Sequence, residues 1–355
     1  MTAPIDPLQD SAHWAGKFNG HEVALYRLGT NGSLQAAICN HGARLLQLKV
    51  QGRHGLWHDV VLGYDHLHQM LQGMPSMGAF IGRFANRIAH ARFTLDERVW
   101  QLPANDGPHC LHGGPAGSRR QVFVVQEHAP DRLVLAWTFR SAQDGFPGDV
   151  ALRVTYTLPT PTTLAIDWEA QALDQASVVN VTAHPFFNLE GVDAPHARDH
   201  HLTIHASHYL PVDAHKIPTG EIAPVNGTPL DLRAGAMLGQ ALARLPAGKG
   251  FDHCYVAGDS GTLRPMARAQ APGSGVVMQV YSDAPGLQFF SASAFDGSLP
   301  RHAGKGARAY GAEAGFCLEP QGLPDAPNHP NFPSAVLRPG QPRRGRIEYR
   351  FSVAD

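Results

Sequence analysis

The sequence has no excess of charge of either sign. Its 355 residues include 29 Lys and Arg against 30 Asp and Glu, which gives a formal net charge of -1 at pH 7. Nucleic acids and anionic membranes are bound by surfaces on which Lys and Arg dominate. The charge balance therefore argues against nucleic acid and membrane as partners and favours a neutral small molecule.

The sequence is also poor in cysteine and has no long apolar run. Cys39, Cys110, Cys254 and Cys317 are scattered without CxxC spacing, which is typical of reduced, buried thiols in a cytoplasmic protein. No window reaches transmembrane length. The first 21 residues contain no apolar segment either, so we expect neither a signal peptide nor a membrane anchor, and a cytoplasmic location.

Glycine and proline are abundant and separate short apolar segments. The 37 Gly and 28 Pro favour many turns and few long helices. Helical spacing occurs at 66–72 and 237–245, and no repeat or linker interrupts the chain. The prediction is an all-β protein: one large antiparallel β-sandwich with a few short helices, forming a single domain over residues 1–355. Strands are predicted at 23–26, 34–39, 44–50, 121–126, 133–140, 151–158 and 163–172, with a hairpin turn at 96–98.

Glu319 lies where an apolar strand is predicted to end and a proline-rich loop to begin. Prolines fix the backbone, so a carboxylate at the mouth of this loop is held in place. A rigid, partly shielded carboxylate suits proton transfer. The structural alternative is a solvated loop Glu or an acceptor for backbone N–H groups.

His184 closes a segment of alternating polar and apolar residues, 178–184. On a strand, Asn180, Thr182 and His184 would share one face. Such a face is commonly exposed to solvent, but Pro185-Phe186-Phe187 follows directly and places bulky apolar groups beside the imidazole. We therefore expect His184 to face a semi-enclosed cleft, where it can donate or accept a proton near neutral pH.

Five further polar side chains stand in glycine-rich or apolar surroundings. These candidates for ligand binding are Asn86, Arg87, His112, Asp252 and Gln288. The glycine pair after His112 allows close approach of backbone and ligand. An Arg in apolar surroundings usually finds a carboxylate or a ligand oxygen. Together the five favour a polyhydroxylated ligand, although each alone is also explained by a polar group that the backbone satisfies.

The 21 histidines form no recognised metal motif. His and Cys are close together at 109–112 and again at 252–254, yet the paired spacings of zinc sites and the HExxH motif are absent. We therefore expect no bound metal.

Six segments together resemble the aldose 1-epimerase (galactose mutarotase) family. In order, they are 81–88 (IGRFANRI), 111–114 (LHGG), 184–189 (HPFFNL), 251–253 (FDH), 285–289 (PGLQF) and 317–321 (CLEPQ), and 217–222 (IPTGEI) also fits. The resemblance covers most of the chain, and the combination is highly specific in order and approximate spacing.

The resemblance implies a galactose mutarotase-type β-sandwich that interconverts the α and β anomers of free aldoses without a metal or an organic cofactor. It implies Glu319 as the base and His184 as the acid. The positions that contact sugar in the family fall on Asn86, Arg87 and His112, and on Asp252 and Gln288. Pro185 and the missing Asn in 291–295 depart from the family pattern, which leaves the preferred aldose open.

Three other functions compete with this interpretation. A glycoside hydrolase would use Glu319 and Asp252 as its paired carboxylates. A non-catalytic sugar-binding protein could keep the fold, because a fold does not dictate a function. A hexose-phosphate epimerase could bind phosphate through Arg119 and Arg120, although we expect these two to be an exposed structural pair. The sequence is compatible with a monomer or a homodimer.

Overall fold

Short strands account for most of the regular structure. The computed structural model describes residues 11–29, 32, 34–246, 249–258 and 261–354. Residues 1–10, which belong to the segment where we expect no signal peptide, lie outside these ranges. Within the ranges, no helix has both the length and the apolar character needed to cross a membrane.

The strands and helices are brief and follow one another closely. The strands are β1 (Gly16–Phe18), β2 (His21–Val23), β3 (Leu25–Leu28), β4 (Gln35–Cys39), β5 (Arg44–Gln51), β6 (Trp57–Asp59), β7 (Phe80–Ile81), β8 (Arg87–Ile88), β9 (Arg92–Leu95), β10 (Arg98–Gln101), β11 (Cys110–Leu111), β12 (Val124–Ala129), β13 (Arg132–Phe139), β14 (Val150–Thr160), β15 (Thr163–Ala172), β16 (Ser177–Val178), β17 (Thr182–Ala183), β18 (His201–Ile204), β19 (His208–Tyr209), β20 (Ala223–Pro224), β21 (Ala236–Met237), β22 (Asp252–Val256), β23 (Arg264–Gln270), β24 (Val276–Ser282), β25 (Gly286–Phe290), β26 (Cys317–Gln321), β27 (Val336–Leu337) and β28 (Arg343–Val353). The α-helices are α1 (Leu67–Gln72), α2 (Ser141–Asp144) and α3 (Leu238–Leu242), and 3-10 turns lie at Ser11–Trp14, Arg53–Gly55, Ala89–Ala91, Ser118–Arg120, Lys305–Ala307 and Ala326–Asn328.

Three antiparallel sheets form the body of the sandwich. The largest has nine strands in the order β12-β13-β14-β15-β28-β24-β23-β18-β21. A five-stranded sheet has the order β20-β19-β22-β25-β26, and a four-stranded sheet has the order β3-β4-β5-β6. The C-terminal strand β28 lies between β15 and β24, so it joins the two halves of the largest sheet.

Alternate residues of these sheets build the main core. Leu152 and Val154 of β14 point into it from the nine-stranded sheet, Leu48 from the four-stranded sheet, and Leu287 and Phe289 from the five-stranded sheet. Each of these side chains is at most 2% exposed, and burial of one such side chain contributes about 1.5–3 kcal/mol. The nine-stranded sheet therefore packs against the other two, which confirms the predicted all-β sandwich.

Most predicted elements are confirmed with shifted ends, but the strand predicted at 23–26 spans the break between β2 and β3. The segment 151–158 becomes Val150–Thr160, and the turn at 96–98 connects Arg92–Leu95 to Arg98–Gln101. The helix predicted over 237–245 ends at Leu242. From there to Pro246 the chain continues in 3-10-type turns, in which the N–H groups of Arg244 and Leu245 donate to the carbonyls of Ala241 and Leu242.

Two local predictions are wrong, and both concern the proton-transfer candidates. Glu319 does not end its strand but lies in the middle of β26, and the strand continues through Pro320. A proline is tolerated there because β26 is at the edge of its sheet. The segment 178–184 is not one strand, because β16 pairs with β27 whereas β17 pairs with β7, and both of its faces are buried.

Candidate active site

One face of the five-stranded sheet forms the floor of a cavity. Gln288 on β25 lies directly opposite Glu319 on β26, and Asp252 on β22 lies opposite Phe290. Residues directly opposite each other share a face of the sheet, and their neighbours along the strand share the other. Leu287 and Leu318 therefore enter the core, whereas the polar side chains point into the cavity.

Glu319 is almost completely buried, with 2% of its surface exposed. Its Oε1 lies 3.5 Å from Nε2 of His184. Burial raises the pKa of Glu319 well above its usual range, and the negative charge of Asp252 raises it further. Both effects favour the protonated carboxyl group over the carboxylate.

His184 follows β17, and its backbone N–H donates to the carbonyl of Ala79. Its ring stacks on Phe186 with the centroids 5.1 Å apart. Burial lowers the pKa of His184 to about 4, so the imidazole is neutral at pH 7. Burial therefore favours the neutral form of both residues, a protonated Glu319 and an uncharged His184.

Cys317 sets the orientation of the His184 ring. Its Sγ lies 3.4 Å from Nδ1 of His184. Burial raises the pKa of the Cys317 thiol well above its usual range, so the thiol keeps its hydrogen. An Nδ1–H that donates to this weak sulfur acceptor leaves a lone pair on Nε2, the nitrogen that faces Glu319.

His112 and Asn86 hold each other through two hydrogen bonds. The backbone N–H of Asn86 donates to Nδ1 of His112 over 3.1 Å, and the backbone N–H of His112 donates to the Asn86 carbonyl over 2.9 Å. The first bond leaves the ring hydrogen on Nε2. Burial lowers the pKa of His112 well below its usual range, and Arg119 lowers it further, so His112 is a neutral hydrogen-bond donor.

The charged candidates around the cavity are paired. Arg87 Nε donates to Asp106 Oδ2 over 2.7 Å. Asp252 accepts from Gln288 Nε2 over 2.6 Å at one oxygen and forms an ion pair with Lys216 at the other. These contacts fix the carboxylate of Asp252 and the amide of Gln288 for binding polar groups of a ligand.

The structure brings all seven candidates from the sequence to one cavity of about 590 Å³. They are Asn86, Arg87, His112, His184, Asp252, Gln288 and Glu319. This volume lies within the range of small-molecule sites in proteins. Asn86 and His112 have positive φ angles, 63° and 56°, which costs backbone energy and is common at binding sites.

Sequence reasoning missed three side chains of this site. Cys317 stands two residues before Glu319, so a strand through 317–321 would have placed both on one face. Asp106 and Lys216 gave no local signal, since their partners are distant in sequence. Arg119 was predicted to be exposed, and this is wrong: it is 6% exposed and lines the cavity, because the 3-10 turn Ser118–Arg120 directs it inward.

Among the residues that the structure describes, one group of side chains is arranged so that it could bind a metal ion. The ligand atoms of His184, Cys317 and Glu319 all lie within 4.8 Å of one another, and all three are donor types that zinc accepts. Burial raises the pKa of both Cys317 and Glu319, so both would have to release protons to bind a metal. The absence of a metal stays a prediction.

Comparison with known proteins identifies the family. The family model for aldose 1-epimerase matches residues 24–350. Galactose mutarotase from Bos taurus is 40% identical over 321 residues, which cover 90% of this chain and 92% of the bovine protein. The chain belongs to the aldose 1-epimerase family. Aldose 1-epimerase from Escherichia coli K12 is 31% identical over 339 residues, 94% of this chain and 96% of the bacterial protein.

Solved structures show the same fold as this member of the aldose 1-epimerase family. A GalM/aldose epimerase homologue from C. elegans superimposes with a TM-score of 0.87 at 28% identity, over 94% of this chain and 100% of that one. Galactose 1-epimerase from Lactobacillus acidophilus NCFM gives a TM-score of 0.83 at 22% identity, over 96% and 97% of the two chains. The galactose mutarotase-type sandwich expected from the sequence is confirmed.

Proposed function

We propose that the protein is an aldose 1-epimerase, a carbohydrate isomerase that interconverts the α and β anomers of free aldohexoses such as galactose and glucose. The observation that carries the proposal is the buried pair of Glu319 and His184, 3.5 Å apart in a cavity lined by fixed polar groups. Membership of the family supports the same reaction.

Ring opening requires one base and one acid. Glu319 takes the proton of the C1 hydroxyl while His184 gives a proton to the ring oxygen O5. The C1–O5 bond then breaks and C1 becomes the carbonyl carbon. Rotation about C1–C2 presents its other face, and the reverse transfers close the ring. Each positioned group contributes roughly 10²–10⁴-fold, so two suffice for a useful acceleration.

Sugar binding prepares the pair for this exchange. Burial favours the neutral form of Glu319, whereas hydrogen bonds donated by sugar hydroxyls favour its carboxylate. The proton released by Glu319 passes to His184, 3.5 Å away, which then holds the acid proton for O5. The pair starts and ends each turnover with the same single proton.

The remaining candidates bind and orient the sugar. Nε2–H of His112 and the guanidinium of Arg87 are donors that can stabilise negative charge on O1 as its proton leaves. Asp252 can accept hydrogen bonds from other hydroxyls of the sugar. Gln288 can donate hydrogen bonds to them or accept hydrogen bonds from them. Asn86 holds His112 in its donor tautomer through the bond to Nδ1.

Freshly dissolved α-D-galactose and α-D-glucose should reach anomeric equilibrium faster with the protein than without it. Polarimetry follows the optical rotation directly, and NMR of the anomeric protons gives the same rate independently. A rate equal to that of buffer alone, under conditions where binding of the sugar is measured, would contradict the proposed function.

The rate should depend on pH in a bell-shaped manner. Burial lowers the pKa of His184 to about 4. Below that pH His184 binds a further proton, so both residues of the pair are protonated and no base remains. We expect kcat/KM to be flat between about pH 5 and 7 and to fall about tenfold per pH unit below about pH 4. It should fall again in alkali, where Glu319, whose pKa is raised, loses its proton and no acid remains. Polarimetry across this range, with fluorescence as a check of folding, measures the profile; an acid limb centred near pH 6.5 would contradict it.

We also propose that the chain forms one domain and resides in the cytoplasm. One core cluster extends from Leu28 to Phe351, which supports a single folding unit. The four cysteines are free and buried, which supports a reducing compartment.

A further inference from the structure

Three arginines line the cavity without a carboxylate partner. Arg119, Arg120 and Arg301 form this arginine cluster. The other two cations at the cavity are paired, Arg87 with Asp106 and Lys216 with Asp252. Over the described ranges of the chain, no ion pair involves any member of the arginine cluster. The cavity therefore carries positive charge that is not neutralised by an ion pair between these arginines and an acidic side chain.

Arg119 is the buried member of the cluster. It is 6% exposed, and its guanidinium makes only long hydrogen bonds, 3.3 Å to Ser76 Oγ and 3.4 Å to the carbonyl of Leu111. Its Nε has no hydrogen-bond partner. A buried charge without a counter-ion is costly, and an anion from a ligand would offset that cost.

The arginine cluster lines the cavity together with Met74 and Ser76. Arg119 donates to Ser76 Oγ, and Arg120 and Arg301 are exposed. Arg301 is also close to Tyr64, whose hydroxyl donates to the Met74 carbonyl. The cavity is thus lined by one buried and two exposed arginines.

The cluster lies beside the acid of the proposed reaction. The charge of Arg119 reaches both His184 and His112 and contributes to lowering the pKa of each, after the larger effect of burial. In an aldohexose, C5 carries both the ring oxygen and the exocyclic carbon C6. In a sugar whose O5 faces His184, C6 is two bonds away from that oxygen and can approach the cavity wall that Arg119 lines.

We propose that the cavity takes aldoses that carry an anionic group on C6, either a carboxylate or a phosphate ester, in preference to the neutral parent sugar. This inference rests on the proposed function and names its substrate class. A guanidinium matches the planar, bidentate geometry of both anions, and charge-assisted hydrogen bonds are about twice as strong as neutral ones.

The experiment compares galactose, galacturonate and galactose 6-phosphate in one assay. Saturation transfer between the two anomeric protons gives the rate of each at equilibrium, so no pure anomer is needed. We expect kcat/KM for at least one acidic sugar to exceed that for galactose about tenfold at low ionic strength. Added salt should reduce the advantage, because two of the three arginines are exposed.

Two variants test the cluster and one serves as the control. Arg119→Gln should reduce the ratio of the acidic to the neutral kcat/KM about tenfold. The double variant Arg120→Gln/Arg301→Gln changes exposed residues only, so it remains informative if Arg119→Gln does not fold, and it should also reduce the ratio. Arg132→Gln, an exposed arginine on β13 paired with Glu127, should leave the ratio unchanged.

The outcomes separate the two proposals. An advantage for galacturonate alone, or for galactose 6-phosphate alone, supports the inference and identifies the anion. Equal or lower kcat/KM for both acidic sugars, or an unchanged ratio in the double variant, overturns it. If none of the three sugars is accelerated, it is the proposed epimerase function that fails.

Discussion

Glu319→Gln is expected to lower kcat for galactose mutarotation by roughly 10²–10⁴-fold while galactose still binds. The amide has the shape of the carboxylic acid and fills the same buried place on β26, so the packing around it is retained. It cannot take the proton of the C1 hydroxyl, and the pair then lacks its base. Polarimetry at saturating galactose measures kcat, and isothermal titration calorimetry measures binding.

The matched control is Glu127→Gln, the same change at a half-exposed carboxylate on β12. It should leave kcat unchanged. If wild type and Glu319→Gln accelerate the reaction equally, both above the spontaneous rate, Glu319 is not the base. If Glu319→Gln loses galactose binding together with its rate, the residue acts mainly in binding.

Asp144→Ala is expected to lower the free energy of unfolding by about 3–5 kcal/mol, because it leaves Arg83 buried and unpaired. Arg83 is fully buried, and its Nη2 lies 2.9 Å from Asp144 Oδ2. The same guanidinium also donates to the carbonyls of Pro147 and Gly148 and to Ser177 Oγ. Guanidinium chloride unfolding followed by fluorescence measures the loss.

The unfolding measurement belongs at about pH 8, where the carboxylate is ionised. Burial raises the pKa of Asp144 to about 6, an effect larger than the opposing one of Arg83. Glu127→Ala breaks the exposed pair with Arg132 and should change the midpoint far less. The double variant Arg83→Met/Asp144→Leu removes both charges and should recover part of the stability. An equal loss in Asp144→Ala and Glu127→Ala would show that burial of this pair does not matter.

The sequence predicted the all-β fold because its signals are local. Alternating apolar residues and turn residues mark strands such as 163–172, and the structure places this strand at the same residues. The pairing of distant strands left no such mark. The position of β28 between β15 and β24, for example, depends on contacts between residues far apart in the chain.

The site was predictable as a set of residues but not as a geometry. Short motifs identified Glu319 and His184, yet the reason first given for the rigidity of Glu319, a proline-rich loop, is wrong, since a buried strand holds it. The burial of Arg119 was also missed. In the sequence, two adjacent arginines look like a solvated pair. In the structure, the 3-10 turn Ser118–Arg120 directs Arg119 inward and Arg120 outward.

The alternation of side chains along β26 restricts how this protein can change in length. Leu318 enters the main core, whereas Glu319 faces the cavity and Cys317, on the same side of the strand, contacts His184. Insertion or deletion of one residue before Glu319 within this strand would exchange the two faces, placing the carboxyl in the core and the leucine beside the sugar. Length variation among functional relatives should therefore be confined to the surface loops, where an added residue shifts no register.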